Sequence, residues 1–482
     1  MKTRSVGTNA VLNVFRTLLT LIVPLITYPY VSRILGAENL GKVNYVNSII
    51  SYFILVSGLG ISTYGVREGA RIRDNKQKVS AFISECFSIA AIMTVISYLL
   101  LSFFVFAFSS LSHYKYLFFI ECLLIAFDTI GIEWVNTIFE DYLYITIRTI
   151  VVYLVSIIAI FALIHNRNDY FIYAAITVGT TGLVSVLNWL HCRKHCDIKL
   201  TVNDHTKRHI KPILVFFANK LAVSLYVNSD ITMIGYMVGD VRVGIYSVAV
   251  KVYTIVKNLL SAIYTVTISR LSSKIGKNDE VGFRELFSKL TSFVTLAIFP
   301  AMIGLCLLAP NIILLLFGNE YSEAGISLRI LSIGIVFAIY GGIVSTVYNV
   351  TRGLEKYSLQ ATIIAAIVNV TLNLVLVPVL NEIGAAITTV IAELFTFVYC
   401  FLRAKGIKES VDWKDFIRNF VHALLGCIEI VFVVIITGKM IENNLLFICL
   451  SIIISVLFYS LTLFILKNYF ICIFLNKLKR RD

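Results

Sequence analysis

Apolar segments of about twenty residues follow one another along almost the whole chain, from Val11 to Leu475. A helix needs about 20 apolar residues to cross the hydrocarbon core of a bilayer. A transmembrane β-barrel would instead show alternating segments of about ten residues, and none are present. A segment in lipid must also satisfy its own backbone hydrogen bonds, which a helix does. The pattern therefore predicts an all-α, polytopic membrane protein.

Composition agrees with this class. Of the 482 residues, 58% are hydrophobic and 15% are charged, whereas a soluble protein carries about 25% charged residues. We place about 14 transmembrane helices by the length that one crossing needs. The predicted spans are 11–32, 42–64, 81–109, 116–138, 141–163, 168–190, 212–237, 243–268, 286–309, 325–350, 357–378, 383–403, 417–437 and 445–468.

The net charge of +14 is distributed unevenly between the two sides of the membrane. Lysine and arginine are concentrated in the even-numbered connections and at both ends of the chain. The odd-numbered connections hold only Arg33, Lys42, Lys115, Arg167, Arg242 and Lys439. The positive-inside rule therefore places the N- and C-termini in the cytoplasm. The same pattern explains the basic charge without a nucleic-acid partner.

An internal repeat relates the two halves of the chain. The motif L-G-x3-L-G that begins at Leu35 recurs as V-G-x3-V-G at Val238, and the same offset of 203 residues places Arg67 on Arg270. A shift by six spans preserves orientation, so it predicts two parallel six-helix lobes with two extra C-terminal helices. The predicted parts are an N-terminal lobe at 1–197, a cytoplasmic linker at 198–211, a C-terminal lobe at 212–405, and spans 13–14 with a basic cytoplasmic tail at 406–482.

Span 1 carries a polar stripe on one face. At about 100° per residue, its polar residues fall within roughly 120° of the helix wheel. They are Asn9, Asn13, Arg16, Thr17, Thr20, Pro24, Thr27 and Tyr28. A polar face in contact with lipid would cost several kcal/mol, so the stripe should face protein or a water-filled cavity. Asn13, Arg16, Thr20 and Tyr28 are therefore candidate cavity residues, although Arg16 could instead snorkel to the nearby cytoplasmic surface.

Span 8 has a similar stripe, from which we select Lys251, Tyr253, Lys257 and Asn258 as further cavity candidates. Two lysines in one span are costly unless they face water or an anion. Lys257 could snorkel toward the cytoplasm, whereas Lys251 lies deeper. Lys220 of span 7 is a weaker candidate because it lies near a predicted helix end. Together the cations indicate an anionic ligand, since arginine and lysine both suit phosphate.

Among the acidic residues within spans, Asp128 and Glu393 are predicted to lie deepest. A buried carboxylate could carry a coupling proton, or it could form a structural ion pair with a basic residue of a neighbouring helix. Both interpretations remain open for each residue.

The segment from His191 to Cys196, with His205 and His209, only approximates the spacing of a structural zinc site. We interpret it as a solvated basic linker and predict no metal site and no cofactor. No nucleophile–base set, roomy catalytic loop or Walker A sequence is present, so the chain is not expected to be an enzyme.

Three stretches resemble a known family. They are LFGNEYSEAGISLRILSIG at 316–334, IVNVTLNLVLVPVL at 367–380 and IGAAITTVIAE at 383–393. With PLITYPYVSRILGAENLGKVNY near the start and NSDITMIGYMVGDVRVGIYS across spans 7 and 8, they are similar to Wzx-type polysaccharide repeat-unit flippases. These transporters belong to the multidrug, oligosaccharidyl-lipid and polysaccharide exporter superfamily. The resemblance covers the whole chain, and its motifs are structural.

The resemblance implies translocation of undecaprenyl-pyrophosphate-linked oligosaccharide across the bacterial inner membrane for O-antigen or capsule biosynthesis. It implies a lipid-linked glycan and membrane lipids as partners, with the polysaccharide polymerase and chain-length machinery as further candidates. Two alternatives remain, a multidrug or cation exporter and a flippase for lipid-linked peptidoglycan precursors. Fourteen spans and cationic stripes argue against the first, whereas the second has the same number of spans.

Overall fold

The computed structural model of the chain describes residues 6–201 and 204–472. It divides into two compact units, Met1–Gly244 and Ile245–Asp482. Every regular element of the described residues is a helix, which confirms the predicted all-α class. The first unit contains α1 (Val6–Gly58), α2 (Ile61–Ile72), α3 (Lys76–Ala107), α4 (Lys115–Glu121), α5 (Leu123–Gly131), α6 (Glu133–Ile138), α7 (Tyr142–Leu163), α8 (Tyr170–Cys192), α9 (Asp204–Lys207), α10 (Ile210–Met237) and the start of α11 (Asp240–Thr265).

The second unit begins within α11. It continues with α12 (Ile268–Gly276), α13 (Glu280–Phe317), α14 (Ala324–Gly342), a π-helical turn (Ile343–Tyr348), α15 (Asn349–Thr351), α16 (Glu355–Arg403), α17 (Trp413–Met440) and α18 (Asn444–Ile465). The boundary between the compact units follows α10, which corresponds to predicted span 7. The division into six-helix lobes at 198–211 stays a prediction.

Eleven helical segments of the described chain are long and apolar enough to cross a membrane. Helix α1 bends at Gly36 and contains predicted span 1 and most of span 2, whose last residues lie in α2. Helix α16 bends at Asn381 and contains spans 11 and 12. Helices α4 to α6 lie where span 4 was predicted, but each is too short to count alone. When the bent helices are divided and this broken crossing is included, the predicted fourteen are accounted for.

The sequence repeat has a counterpart in the backbone. Gly36 has a φ of 75°, and Gly239, which is 203 residues later, has a φ of 119°. Glycine enters this region without the steric penalty that a Cβ atom brings. A glycine with positive φ therefore follows predicted span 1 and, 203 residues later, predicted span 7.

Directly after these turns, two glycines form a reciprocal close contact. Gly41 lies against the backbone of Asp240, and Gly244 lies against the backbone of Ala37. The 203-residue shift converts one contact into the other, since it relates Ala37 to Asp240 and Gly41 to Gly244. A Cβ atom on either glycine would overlap a carbonyl oxygen. The contact supports the predicted repeat and explains why both copies have glycine at this position.

The segment that follows α8 lies along α3. The backbone N–H groups of Lys199 and Thr201 donate to Ser84 Oγ at 3.1 Å and Ser88 Oγ at 2.7 Å. Both serines are buried, so they need hydrogen-bond partners inside the protein. The described part of the predicted linker is thus attached to α3 through its backbone, while its basic residues Lys199, Lys207 and Arg208 are exposed.

Glu85 of α3 makes a second attachment to this segment. Its carboxylate lies 2.6 Å from His209 Nε2 and 3.1 Å from Arg208 Nη2. The other ring nitrogen of His209 forms a 2.7 Å hydrogen bond with the Tyr64 hydroxyl. The side chains of Glu85 and His209 are each only 6% exposed. Their hydrogen bonds therefore form in a setting where an unpaired polar group would be costly.

We expect Glu85→Ala to lower the free energy of unfolding by about 1–3 kcal/mol, because it leaves His209 buried without its acceptor. Denaturation of the purified protein in detergent measures the change. Glu285→Ala is the control, because Glu285 forms an exposed i,i+4 pair with Lys289 and such pairs contribute little. Equal stability of the two variants would contradict a structural role for Glu85.

Candidate substrate cavity

A cavity of about 620 Å³ lies inside the first unit. Helices α1, α2, α3, α5, α6, α8 and α10 contribute to its wall. The polar lining consists of Ser51, Ser62, Asp128, Thr129, Glu133, Thr181, Ser185, Asn188, Asn219, Lys220, Ser224 and Asn228. Polar groups inside an apolar membrane protein pair with one another, with water or with a polar ligand. The cavity volume falls within the ~300–1,000 Å³ of typical ligand sites.

Asp128 and Lys220, two residues selected from the sequence, both line this cavity. Lys220 Nζ donates to Ser62 Oγ at 2.6 Å. The Asp128 side chain is exposed to the cavity, and its Oδ2 lies so near Gly58 that a Cβ there would be 2.9 Å away. One basic and one acidic side chain from distant parts of the chain therefore share this space.

Two arginines and one glutamate form a charged cluster beside the cavity. Arg16 Nη2 lies 2.5 Å from Glu133 Oε1, and Arg148 Nη2 lies 2.9 Å from Glu133 Oε2. Each carboxylate oxygen thus has its own guanidinium partner. We call these three residues the Arg–Glu–Arg cluster. With two cations and one anion, it carries a net positive charge.

The break in predicted span 4 places Glu133 in this cluster. Ile132 has a φ of 21° and separates α5 from α6, so Glu133 starts a new helix. Arg148 is held on its other side by the Asn188 side chain, which also accepts a hydrogen bond from Asn136 at 3.0 Å. The Arg148 side chain is 3% exposed, whereas those of Arg16 and Glu133 are 28% and 32% exposed. Arg148 is therefore the anchored member, and the other two are accessible.

The other candidates of span 1 lie on α1. Thr20 is half-buried. Tyr28 is buried, and its hydroxyl accepts a hydrogen bond from Asn44 Nδ2 at 3.0 Å, across the bend in the helix. The side chain of Asn13 lies outside the described part of the structure. Arg16 thus connects the stripe to the cavity wall through its ion pair with Glu133.

In the second unit, Lys257 and Glu393 form an ion pair. Lys257 Nζ lies 2.6 Å from Glu393 Oε1, and the buried Tyr253 hydroxyl donates to the same oxygen at 3.2 Å. Asn258 is exposed, and Lys251 is half-buried on the same helix. The pairing favours the structural interpretation of Glu393 that the sequence left open.

We expect Lys257→Ala to destabilise the protein by about 1–3 kcal/mol, because Glu393 is 7% exposed and would lose its cation. The value is below that of a fully buried pair, since Lys257 is 31% exposed and partly screened by water. The double variant Lys257→Met/Glu393→Gln should recover most of the loss, as measured by thermal denaturation in detergent. A double variant that is stable but loses gradient-driven transport would instead identify Glu393 as a coupling group.

Sequence reasoning selected Arg16 but did not connect it with Glu133 and Arg148. Neither Glu133 nor Arg148 was among the candidates that the sequence indicated. The available signal was the presence of a basic and an acidic residue, 15 positions apart, in consecutive apolar spans. Asn188, a neutral side chain, gave no such signal.

A polar, charged cavity within a polytopic helical fold is typical of membrane transporters. The chain belongs to the polysaccharide biosynthesis protein family, whose model matches residues 6–274. The MatE family model matches residues 216–379. These matches confirm the resemblance to Wzx-type flippases and to their superfamily.

Named relatives and solved structures agree with this assignment. An Escherichia coli K12 protein named "Putative O-antigen transporter" is 24% identical over 387 residues, which cover 77% of this chain and 90% of that protein. The Staphylococcus aureus capsular polysaccharide biosynthesis protein CapF is 24% identical over 254 residues, covering 51% and 62%. The lipid II flippase MurJ in an inward closed conformation superposes with a TM-score of 0.74 at 16% identity, covering 95% of this chain and all of that one. An inward-facing multidrug transporter of the MATE family gives 0.62 at 17% identity, covering 80% and 95%. The solved structures are evidence for the fold alone.

Proposed function

We propose that the protein is a flippase that moves undecaprenyl-pyrophosphate-linked oligosaccharide repeat units across the bacterial cytoplasmic membrane. The translocated repeat units would be used in the biosynthesis of a surface polysaccharide, either O-antigen or capsule. The observation that carries the proposal is the polar cavity of the first unit, lined by Lys220 and flanked by the net-positive Arg–Glu–Arg cluster. Membership of the polysaccharide biosynthesis family supports the choice of substrate.

The chemistry of the cavity suits the polar part of such a substrate. A pyrophosphate is negatively charged. Lys220 can pair with it as a point charge, and arginine can donate two parallel N–H···O hydrogen bonds to it. The asparagine, serine and threonine side chains of the lining can donate to or accept from sugar hydroxyls. The polyprenyl chain gains nothing from this environment and would remain in the apolar surroundings of the helices.

Transport of this kind is proposed to proceed by alternating access, with two parallel lobes exposing the substrate first to one side and then to the other. Arg16, Lys220 and Lys251 are the cations we propose to act on the headgroup. Asp128, which faces the cavity, and Glu393 stay candidates for a coupling carboxylate. Asn13, Thr20, Tyr28, Tyr253, Lys257 and Asn258 stay candidate cavity residues.

The proposed location is the bacterial inner membrane, with both termini in the cytoplasm as the positive-inside rule predicts. The polysaccharide polymerase and the chain-length machinery are candidate partners, because they would consume the flipped repeat unit. Reporter fusions to each terminus test the orientation, and an active periplasmic reporter at either end would contradict it.

Proteoliposomes that contain lipid-linked oligosaccharide test the function directly. The readout is the fraction of glycan that becomes accessible to an external lectin or glycosidase over time. We expect exposure that requires the protein and that falls in Arg16→Ala and Lys251→Ala. Protein-free vesicles, together with vesicles that hold an unrelated membrane protein, provide the baseline.

The same vesicles separate the two alternative functions. A multidrug or cation exporter would move a cationic dye while the glycan stays inside, and the MATE-like fold gives this alternative its support. A peptidoglycan precursor flippase would expose lipid II in preference to the polysaccharide repeat unit, as the name of the MurJ structure suggests. Either result would replace the proposed substrate.

A further inference from the structure

We propose that Asp141, His191 and His195 form a binding site for a divalent transition-metal ion, and that Zn²⁺ is the ion their donor atoms suit. Asp141 precedes α7, His191 lies in the last turn of α8, and His195 follows one turn later. One ligand atom from each of the three residues lies within 4.8 Å of the others. Two imidazoles and a carboxylate with a fourth position for water are a recognised zinc environment.

A buried nitrogen without a partner is the second observation. Nε2 of His195 is buried and makes no hydrogen bond within the described structure. It lies 3.8 Å from Asp141 Oδ2, too far for a hydrogen bond. Nε2 of His191 lies 2.8 Å from the same oxygen. A shared cation would satisfy all three groups at once, whereas a hydrogen bond between Asp141 and His191 leaves His195 unsatisfied.

The distances are close to those that the metal requires. Zinc lies ~2.0–2.1 Å from histidine nitrogen and ~2.0–2.2 Å from carboxylate oxygen, so donor atoms in a tetrahedral site are about 3.3 Å apart. The separations of 2.8 Å and 3.8 Å lie on either side of this value, and the two histidine donor atoms lie within 4.8 Å of each other. Small side-chain movements would bring the three donors to the spacing of a zinc site.

Aromatic stacking holds both imidazole rings in place. The Tyr144 ring stacks on His191 with centroids 3.5 Å apart and an interplanar angle of 8°. The Phe139 ring stacks on His195 at 4.5 Å and 15°. Tyr144 is itself fixed by its hydroxyl, which donates to the Leu187 carbonyl at 2.6 Å. Such preorganisation lowers the entropy lost when the ligands close on an ion.

The neighbouring cysteines have other contacts. The Cys192 thiol lies 3.3 Å from Asn136 Oδ1, and the Cys196 thiol lies 3.6 Å from the Cys192 carbonyl. Both residues are fully buried and belong to the core of the first unit. The proposed ligands are therefore nitrogen and oxygen atoms. They differ from the mixed cysteine and histidine ligands of the structural zinc sites whose spacing the sequence approximates.

A metal at this position would connect two parts of the first unit. Asp141 belongs to the connection between α6 and α7, and the histidines belong to the end of α8. From there the chain continues into the segment attached to α3. The bound ion would thus fix the conformation of the segment that runs from the end of α8 to α10.

Zinc titration of the full chain tests the proposal, using protein purified in detergent without a polyhistidine tag and treated with a chelator. Calorimetry should detect one saturable Zn²⁺ site per chain. The site should be weakened at least about tenfold, or 1.4 kcal/mol, in His195→Gln and Asp141→Asn. His165→Gln is the matched control, because His165 is exposed and lies on another connection, between α7 and α8. Melting temperatures of the metal-free proteins show whether each variant is folded.

Cobalt substitution distinguishes the ligand set. Bound Co²⁺ should show the visible bands of a tetrahedral site without a thiolate-to-metal charge-transfer band, and Cys196→Ser should leave the spectrum unchanged. Zinc binding that is the same in His195→Gln and the wild type would overturn the proposal. A thiolate charge-transfer band, or a wild type without saturable binding, would also overturn it.

Discussion

Arg16→Ala is expected to reduce the rate of glycan exposure in proteoliposomes by roughly tenfold or more. A hydrogen bond to a charged group contributes ~1.5–3 kcal/mol, and 1.4 kcal/mol corresponds to a factor of ten. Without Arg16, the Arg–Glu–Arg cluster retains one cation and one anion, so it becomes neutral. A neutral cluster no longer attracts a pyrophosphate.

A double variant that restores the net charge of the Arg–Glu–Arg cluster is the control for this prediction. The double variant Arg16→Ala/Glu133→Gln leaves Arg148 as the only charge and restores the net charge of +1. If Arg16 acts through charge, the double variant should recover a substantial part of the activity that the single variant loses. Arg16→Lys should retain part of the activity, because it keeps the charge but not the bidentate geometry.

Full activity of Arg16→Ala would contradict a role for Arg16 in handling the headgroup. A double variant that is as inactive as the single variant, with unchanged thermal stability, would show that charge is not the reason for the loss. Membrane insertion and melting temperature need to be measured for each protein, because Glu133 is also a structural partner of Arg148.

Gly41→Ala is expected to lower the free energy of unfolding by about 1–3 kcal/mol, the usual cost of overpacking. The added methyl would meet the backbone carbonyl of Asp240, and a backbone atom cannot move aside as a flexible side chain can. Gly244→Ala should behave alike, because its methyl would meet the carbonyl of Ala37. Thermal denaturation in detergent measures both variants.

Gly179→Ala is the matched control for the glycine variants. Gly179 also lies within a long helix, but nothing stands within 4 Å of the position its Cβ would take. Alanine has the higher helix propensity by ~1 kcal/mol, so this variant should be neutral or slightly stabilised. Equal effects at Gly41 and Gly179 would show that the reciprocal contact does not require glycine.

Much of the architecture could be predicted from the sequence, because about 20 consecutive residues determine whether a helix can cross the membrane. The predicted crossings, the break after span 1 and the repeat that relates Gly36 to Gly239 all come from short windows of sequence. The bends within α1 and α16 and the fragmentation around Ile132 changed how the crossings are divided into helices. They did not change the number of apolar segments.

The site could be predicted only in part. Arg16, Lys220 and Asp128 were selected because charged residues are costly in lipid, and the structure places the last two on one cavity wall. The sequence predicts a solvated basic linker, and its residues Lys199, Lys207 and Arg208 are exposed. Its attachment to the buried residues Ser84, Ser88 and Glu85 of α3 could not be predicted, because hydropathy gives no sign of that pairing.

By itself, the sequence determined the class of the protein, its apolar crossings and its family, since hydropathy and sequence motifs are properties of residues that are neighbours along the chain. Tertiary structure alone decided which charges meet. Arg16 pairs with Glu133 across 117 positions, Lys257 with Glu393 across 136, and His191 with Asp141 across 50. The physical reason is that a buried charge is costly without a partner, so the sequence shows that a partner is needed. Which partner is near enough to pair with it depends on how the helices pack.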